Sequence, residues 1–135
     1  MTYQDTIYDN NGAITAAWTH TPGTADFIAN EAGTFNIIYR ANVTASAGGV
    51  FLMRAVLNGS TIAGSDAIVQ LPRASPNTIN TPGIYVIATS LIVTCAIGDI
   101  LKIQFTSNDG SGGLVIAPVV GTDPVSTSIT IVRIN

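Results

Sequence analysis

Apolar and polar residues alternate along much of this chain with a period of two. In FNIIYRANVTA, Phe35, Ile37, Tyr39, Ala41 and Val43 fall on one side of an extended strand, with Asn36, Ile38, Arg40, Asn42 and Thr44 on the other. Leu101, Ile103 and Phe105 oppose Lys102, Gln104 and Thr106 in the same way. No window places apolar residues at i, i+3, i+4 and i+7 over three turns, so no helix is predicted. Asn58-Gly59 is a tight-hairpin signal, which makes Val50–Leu57 a strand entering the turn and Thr61–Leu71 its return, stopped by Pro72. A further strand covers Ile84–Cys95, and Gly98-Asp99 turns the chain into Ile100–Asn108. NDGSGG then breaks the pattern ahead of a short apolar run, Leu114–Pro118, and GTDP breaks it again before the final strand in PVSTSITIVRIN. The segment 1–24 is less regular, with strands expected near Tyr3–Tyr8 and Ala13–Trp18. Another is expected around Ala25–Ile28, followed by a turn at Glu31–Gly33. Eight to ten strands at this spacing define an all-β chain with a single domain over 1–135, expected as an antiparallel two-sheet jelly-roll sandwich.

Two strands break the alternation. Phe51, Met53, Ala55 and Leu57 point one way, yet Val50, Leu52 and Val56 point the other, with only Arg54 polar among them. In the last strand Ile129, Ile131 and Arg133 share one face and Thr130, Val132 and Ile134 the other. A two-layer sandwich buries one face of each strand, and a large apolar patch is rarely left wet on the second. Packing of three sandwiches around an axis would hide it, which makes Val50, Leu52, Val56, Ile129, Ile131, Val132 and Ile134 the candidate trimer-interface residues. The alternation leaves open which set lines the axis.

Composition strengthens that expectation. The chain is 47% hydrophobic but only 10% charged, against about a quarter charged in an ordinary domain, and charge is depleted at interface cores. The net charge of −3, with bases scattered at Arg40, Arg54, Arg73, Lys102 and Arg133, argues against nucleic acid as partner. No apolar run reaches the length of a membrane-crossing helix, and MTYQDTIYDN has neither the basic nor the apolar part of a secretory signal. Cys95 is alone, so no intrachain disulfide is expected, and its place in an apolar strand reads as a buried inert thiol.

Candidate chemistry is thin. Nucleophilic catalysis needs a base beside the nucleophile, and the one imidazole, His20, lies between threonines in a Pro-Gly stretch that reads as a solvated loop. Asp109 and Asp123 sit in Gly-containing loops without the clustered carboxylates that calcium prefers. Glu31 and Asp99 both lie in turns, which explain them, an Asp beside glycine satisfying local backbone. Asn42-Val43-Thr44 and Asn58-Gly59-Ser60 match glycosylation sequons, the second inside the tight turn itself. Trp18 beside His20 is the one weak ligand candidate, an aromatic near polar residues that could stack on a sugar ring. Tyr39 and Tyr85 read as packing residues. No catalytic, cofactor or metal residues are expected.

Several segments, in order, resemble the trimeric jelly rolls that include complement globular heads and tumour necrosis factor. FIANEAGTFNIIYRANV matches through Gly33, Phe35, Ile37 and Ala41, offset by the extra Thr34. SLIVTCAIGDILKIQF matches through Gly98, Asp99, Leu101, Ile103 and Gln104, and the hairpin LMRAVLNGS and the terminal SITIVRI complete the likeness over about Phe27 to Ile134. Within that family the chain is most similar to the C-terminal domain of collagen-like glycoproteins on bacterial spore surfaces, which share its Ala-, Thr-, Val- and Ile-rich character. No Gly-X-Y stem like theirs lies within these residues, which leaves open an excised domain or a stand-alone trimer such as a virion fibre head or capsid decoration protein. The resemblance implies a non-enzymatic homotrimeric head on the outside of a spore or a virus particle, partnered by itself and by a collagen-like or fibre stem. Both particles are assembled inside a cell and need no secretory signal. The alternative it leaves open is a fibre tip that binds a surface glycan or receptor.

Overall fold

In a computed structural model, the chain is all-β. The structure describes residues 17–44, 49–71, 85–108, 113–114 and 127–135. The segments expected near Tyr3–Tyr8 and at Ala13 to Ala16, the loops holding Asp109 and Asp123, and the run 115–118 lie outside the described residues.

Among the described residues, ten strands form two antiparallel sheets. They are β1 (Trp18–His20), β2 (Phe27–Ala29), β3 (Gly33–Thr44), β4 (Gly49–Leu57), β5 (Ser60–Thr61), β6 (Ala67–Leu71), β7 (Tyr85–Cys95), β8 (Ile100–Ser107), β9 (Gly113–Leu114) and β10 (Thr127–Arg133). The first sheet runs β1-β2-β8-β4-β5, with β6 also paired to β4. The second runs β10-β3-β7, with β9 paired to the end of β3. Neighbours in both sheets are mostly distant in sequence, the jelly-roll-like arrangement expected of the strand pattern.

The core lies between the sheets and is supplied by the odd-numbered positions of the alternation. Phe35, Ile37, Tyr39, Ala41 and Val43 of β3 are fully buried, as are Phe51, Met53 and Ala55 of β4 and Leu101 and Ile103 of β8. Trp18 meets Phe35 edge-on, with ring centroids 5.2 Å apart, and Phe51 lies 5.8 Å from Phe105. Burying aromatic and aliphatic side chains of this size contributes about 1.5–3 kcal/mol each, which is the dominant stabilising contribution.

The return strand expected over Thr61–Leu71 is split. β5 and β6 both pair with β4, but residues 62–66 leave the ladder between them. Ser65 is fully buried there. Its Oγ accepts from the Ala55 N–H at 3.1 Å and donates to the Ala55 carbonyl at 3.2 Å. The Tyr39 hydroxyl, reaching across from the other sheet, donates to the Ser65 carbonyl. A side chain thus replaces the backbone partner that the interruption removes, as buried polar groups require.

At one end of the sandwich the chain terminus is clasped to β3. Ile134 N–H donates to the Thr34 carbonyl and Thr34 N–H to the Asn135 carbonyl, each at 2.8 Å. Arg133 pairs with Glu31 at 2.5 Å and donates to the Ala32 carbonyl at 3.1 Å. Gly33 makes this approach possible, since a Cβ there would lie 2.7 Å from the Asn135 carbonyl oxygen.

Candidate functional site

The seven residues singled out for an interface fall in three different places. Ile129 and Ile131 face inward, opposite Tyr39 and Ile37, and pack partly buried against the core. They are therefore part of the fold and drop out of the candidate surface. Val50, Leu52 and Val56 lie on the outer face of the first sheet. There Leu52 sits between Ile68 and Thr106, and Val56, already buried, between Lys102 and Thr61. Lateral neighbours in a six-stranded sheet supply much of the cover that the alternation left unexplained. Arg54, donating to Gln104 Oε1 at 2.8 Å, and the Lys102–Asp26 ion pair at 2.9 Å keep this face polar as well as apolar.

Val132 and Ile134 belong to the outer face of the second sheet, and here the structure adds residues that the alternation did not single out. Val132 lies opposite Asn36, which pairs on its other side with Ile92, and Ile38 lies between Thr130 and Ser90. Val86 and Ala88 of β7 continue the same face. Ile38 is 44% exposed, Val86 59%, Ile92 66%, Val132 48% and Ile134 53%. The remaining outward positions are Thr34, Asn36, Asn42, Ser90, Thr94, Ser128 and Thr130, besides Arg40, whose Nε donates to Ser128 Oγ at 3.0 Å. Among the described residues of this face Arg40 is the single charged side chain. Ile38, Val86 and Ile92 each sit in strands that read as core by composition, and only the pairing of three strands side by side assembles them with Val132 and Ile134.

Trp18 and His20 are placed differently from the sequence expectation. His20 is not in a solvated loop. It ends β1, opposite Phe27 in the ladder, and is buried. Its ring stacks on Phe27 at 4.5 Å and its Nε2 lies 3.3 Å from the Thr24 carbonyl. Trp18 is buried two positions earlier on the same inward face, and its indole N–H is the buried side-chain group without a hydrogen-bond partner among the described residues. Of the strand expected over Ala13–Trp18, Trp18 opens β1, which takes its register from β2, and Ala13 to Ala16 lie outside the described residues. Neither ring presents an open face for stacking. Tyr39 packs in the core, whereas Tyr85, at the start of β7, is partly exposed.

Cys95 is buried at the end of β7, and burial, with Asp99 nearby, pushes its thiol pKa up, which disfavours the nucleophilic thiolate. Among the described residues no three His, Cys, Asp or Glu side chains gather as a metal site.

One polar cluster joins two turns that the sequence treats as separate. Asn58 and Gly59 adopt φ of 50° and 84°, the left-handed pair of a tight hairpin. Asn58 Nδ2 donates to Asp99 Oδ1 at 2.8 Å, and Asn58 Oδ1 accepts from the Ile100 N–H at 2.9 Å. Asp99 Oδ2 accepts in turn from the Ala96 N–H at 2.8 Å. The Asn58 amide, then the Ala96 N–H, hold the Asp99 carboxyl below its ordinary pKa.

A scan against protein-family models finds no match to this chain, and a search of curated proteins finds none either.

Proposed function

We propose that this chain is a non-enzymatic structural and display module that works as a homotrimer, a globular head on the outer surface of a spore or virus particle. The observation that carries the reading is the outer face of the β10-β3-β7 sheet, with Ile38, Val86, Ile92, Val132 and Ile134 exposed and Arg40 its single charge among the described residues. Such a face is costly in water and calls for a covering surface. A second copy supplies one with the same scarcity of charge, and obligate interfaces of this kind bury about 2,000 Å² or more. The three-fold order and the external location rest on the resemblance to trimeric jelly-roll heads, a family in which no catalytic residues carry over to this chain. A sugar- or receptor-binding fibre tip is the competing role, and it would have to use side chains other than the buried Trp18 and His20.

Light scattering on the purified chain tests the reading first. A folded species at three times the 13.9 kDa subunit mass, persisting on dilution through micromolar concentration, is the expected result. A folded, soluble monomer across that range would sink it.

A further inference from the structure

The clasped turns hold a reactive dipeptide beside the groups that restrain it. In an Asn-Gly pair the backbone nitrogen of the glycine can attack the asparagine side-chain amide, since glycine has no Cβ to obstruct the approach. Here Gly59 N would bond to Asn58 Cγ as the Cγ–Nδ2 bond breaks. Nδ2 would leave as ammonia, carrying off the proton from Gly59 N. Water then opens the cyclic imide at either carbonyl, giving aspartate or isoaspartate. The sum is one water consumed and one ammonia released, with nothing oxidised or reduced.

The pair is exposed at the hairpin tip, so water has access. Both ends of the Asn58 amide are nevertheless taken, Nδ2 by Asp99 Oδ1 at 2.8 Å and Oδ1 by the Ile100 N–H at 2.9 Å. Asp99 is itself fixed by the Ala96 N–H on its other oxygen and by the Ala29 N–H on its carbonyl at 2.9 Å. Swinging Cγ toward Gly59 N means giving up both amide bonds. We propose that Asn58 is a latent deamidation site held closed by the second turn, with Asp99 as the positioning residue. Conversion would also weaken the clasp itself. An aspartate at 58 would set an acceptor against the Asp99 acceptor where a donor now stands, forcing the turns apart. This inference does not depend on the trimer.

Peptide mapping by mass spectrometry after incubation in mildly alkaline buffer tests it, since mapping separates conversion at Asn58 from that at the other Asn-Gly pair, Asn11-Gly12. The folded chain should convert at Asn58 about a hundredfold more slowly than the same chain in urea, about tenfold for each hydrogen bond surrendered. Asp99→Ala, checked for a folded spectrum, should speed conversion about tenfold. Should it not fold, Asp99→Asn, which keeps a neutral acceptor, takes its place with a smaller acceleration. Tyr39→Phe, which weakens the fold away from the turns, should convert as the unmodified chain does. Equal rates in the folded and unfolded chain would overturn the proposal. So would a folded Asp99 variant no faster than the parent, or a Tyr39→Phe rate matching that of Asp99→Ala.

Discussion

Tyr39 shows how much one side chain can decide. Its ring fills the core from β3 while its hydroxyl satisfies the Ser65 carbonyl on the other sheet, and burial pushes its phenol pKa up, so it stays a donor across the ordinary pH range. Tyr39→Phe keeps the ring but leaves a buried carbonyl unpaired, which should cost about 1–3 kcal/mol in urea unfolding without changing the fold. Asp99 makes a pH-dependent contribution whose direction follows from its lowered pKa. A carboxyl with a folded pKa below its unfolded one, near about 3.9, adds stability that is complete above the unfolded value. That stability is lost as pH falls through the lower folded value. Asp99→Asn should therefore lower stability at neutral pH and flatten the acid limb of a urea midpoint-against-pH profile. An acid limb as steep as the parent's would show that the turn clasp contributes nothing.

Strand β10 has two apolar faces, and the structure gives them different work. Ile131 faces Ile37 in the ladder and packs on the core, whereas Val132 faces outward opposite Asn36. Ile131→Asp places a carboxylate against the core and should cost about 3–5 kcal/mol, a large share of the about 5–15 kcal/mol that holds a domain together. Val132→Asp alters an exposed position and should change subunit stability by no more than about 0.5 kcal/mol, yet dissociate the proposed trimer into folded subunits. Circular dichroism with light scattering separates the two outcomes. A Val132→Asp chain that remains a trimer would move the interface away from this sheet.

At the scale of the whole molecule, sparse charge and an exposed apolar sheet belong together. The described ion pairs, Lys102–Asp26 and Arg133–Glu31, lie on the other sheet and at the chain terminus rather than on the β10-β3-β7 face. The proposed assembly should accordingly be insensitive to salt, because the surface it hides holds little charge to screen. Raising ionic strength should leave the light-scattering mass unchanged, and dissociation in high salt would argue for a polar interface elsewhere. Period-two patterning is a local property, so the core set Phe35, Ile37, Tyr39, Ala41 and Val43, the hairpin at Asn58-Gly59 and the all-β class were legible before any contact was known. The interrupted return strand, the burial of His20 and the link between Asn58 and Asp99 were not, because each depends on a partner about 7 to 41 positions away. Strands apolar on both sides carry no local mark of which side turns inward. For β10 that choice was made by its register on β3, which put Ile129 and Ile131 in the core and left Val132 outside with Ile38 and Ile92. The sequence by itself determined the alternating strands β3 and β8, the turn at Asn58-Gly59 and the residues fit for a core. Only tertiary pairing decided which apolar residues gather on a common outer face, because a face of a sheet is made of neighbours that the chain brings together from far apart.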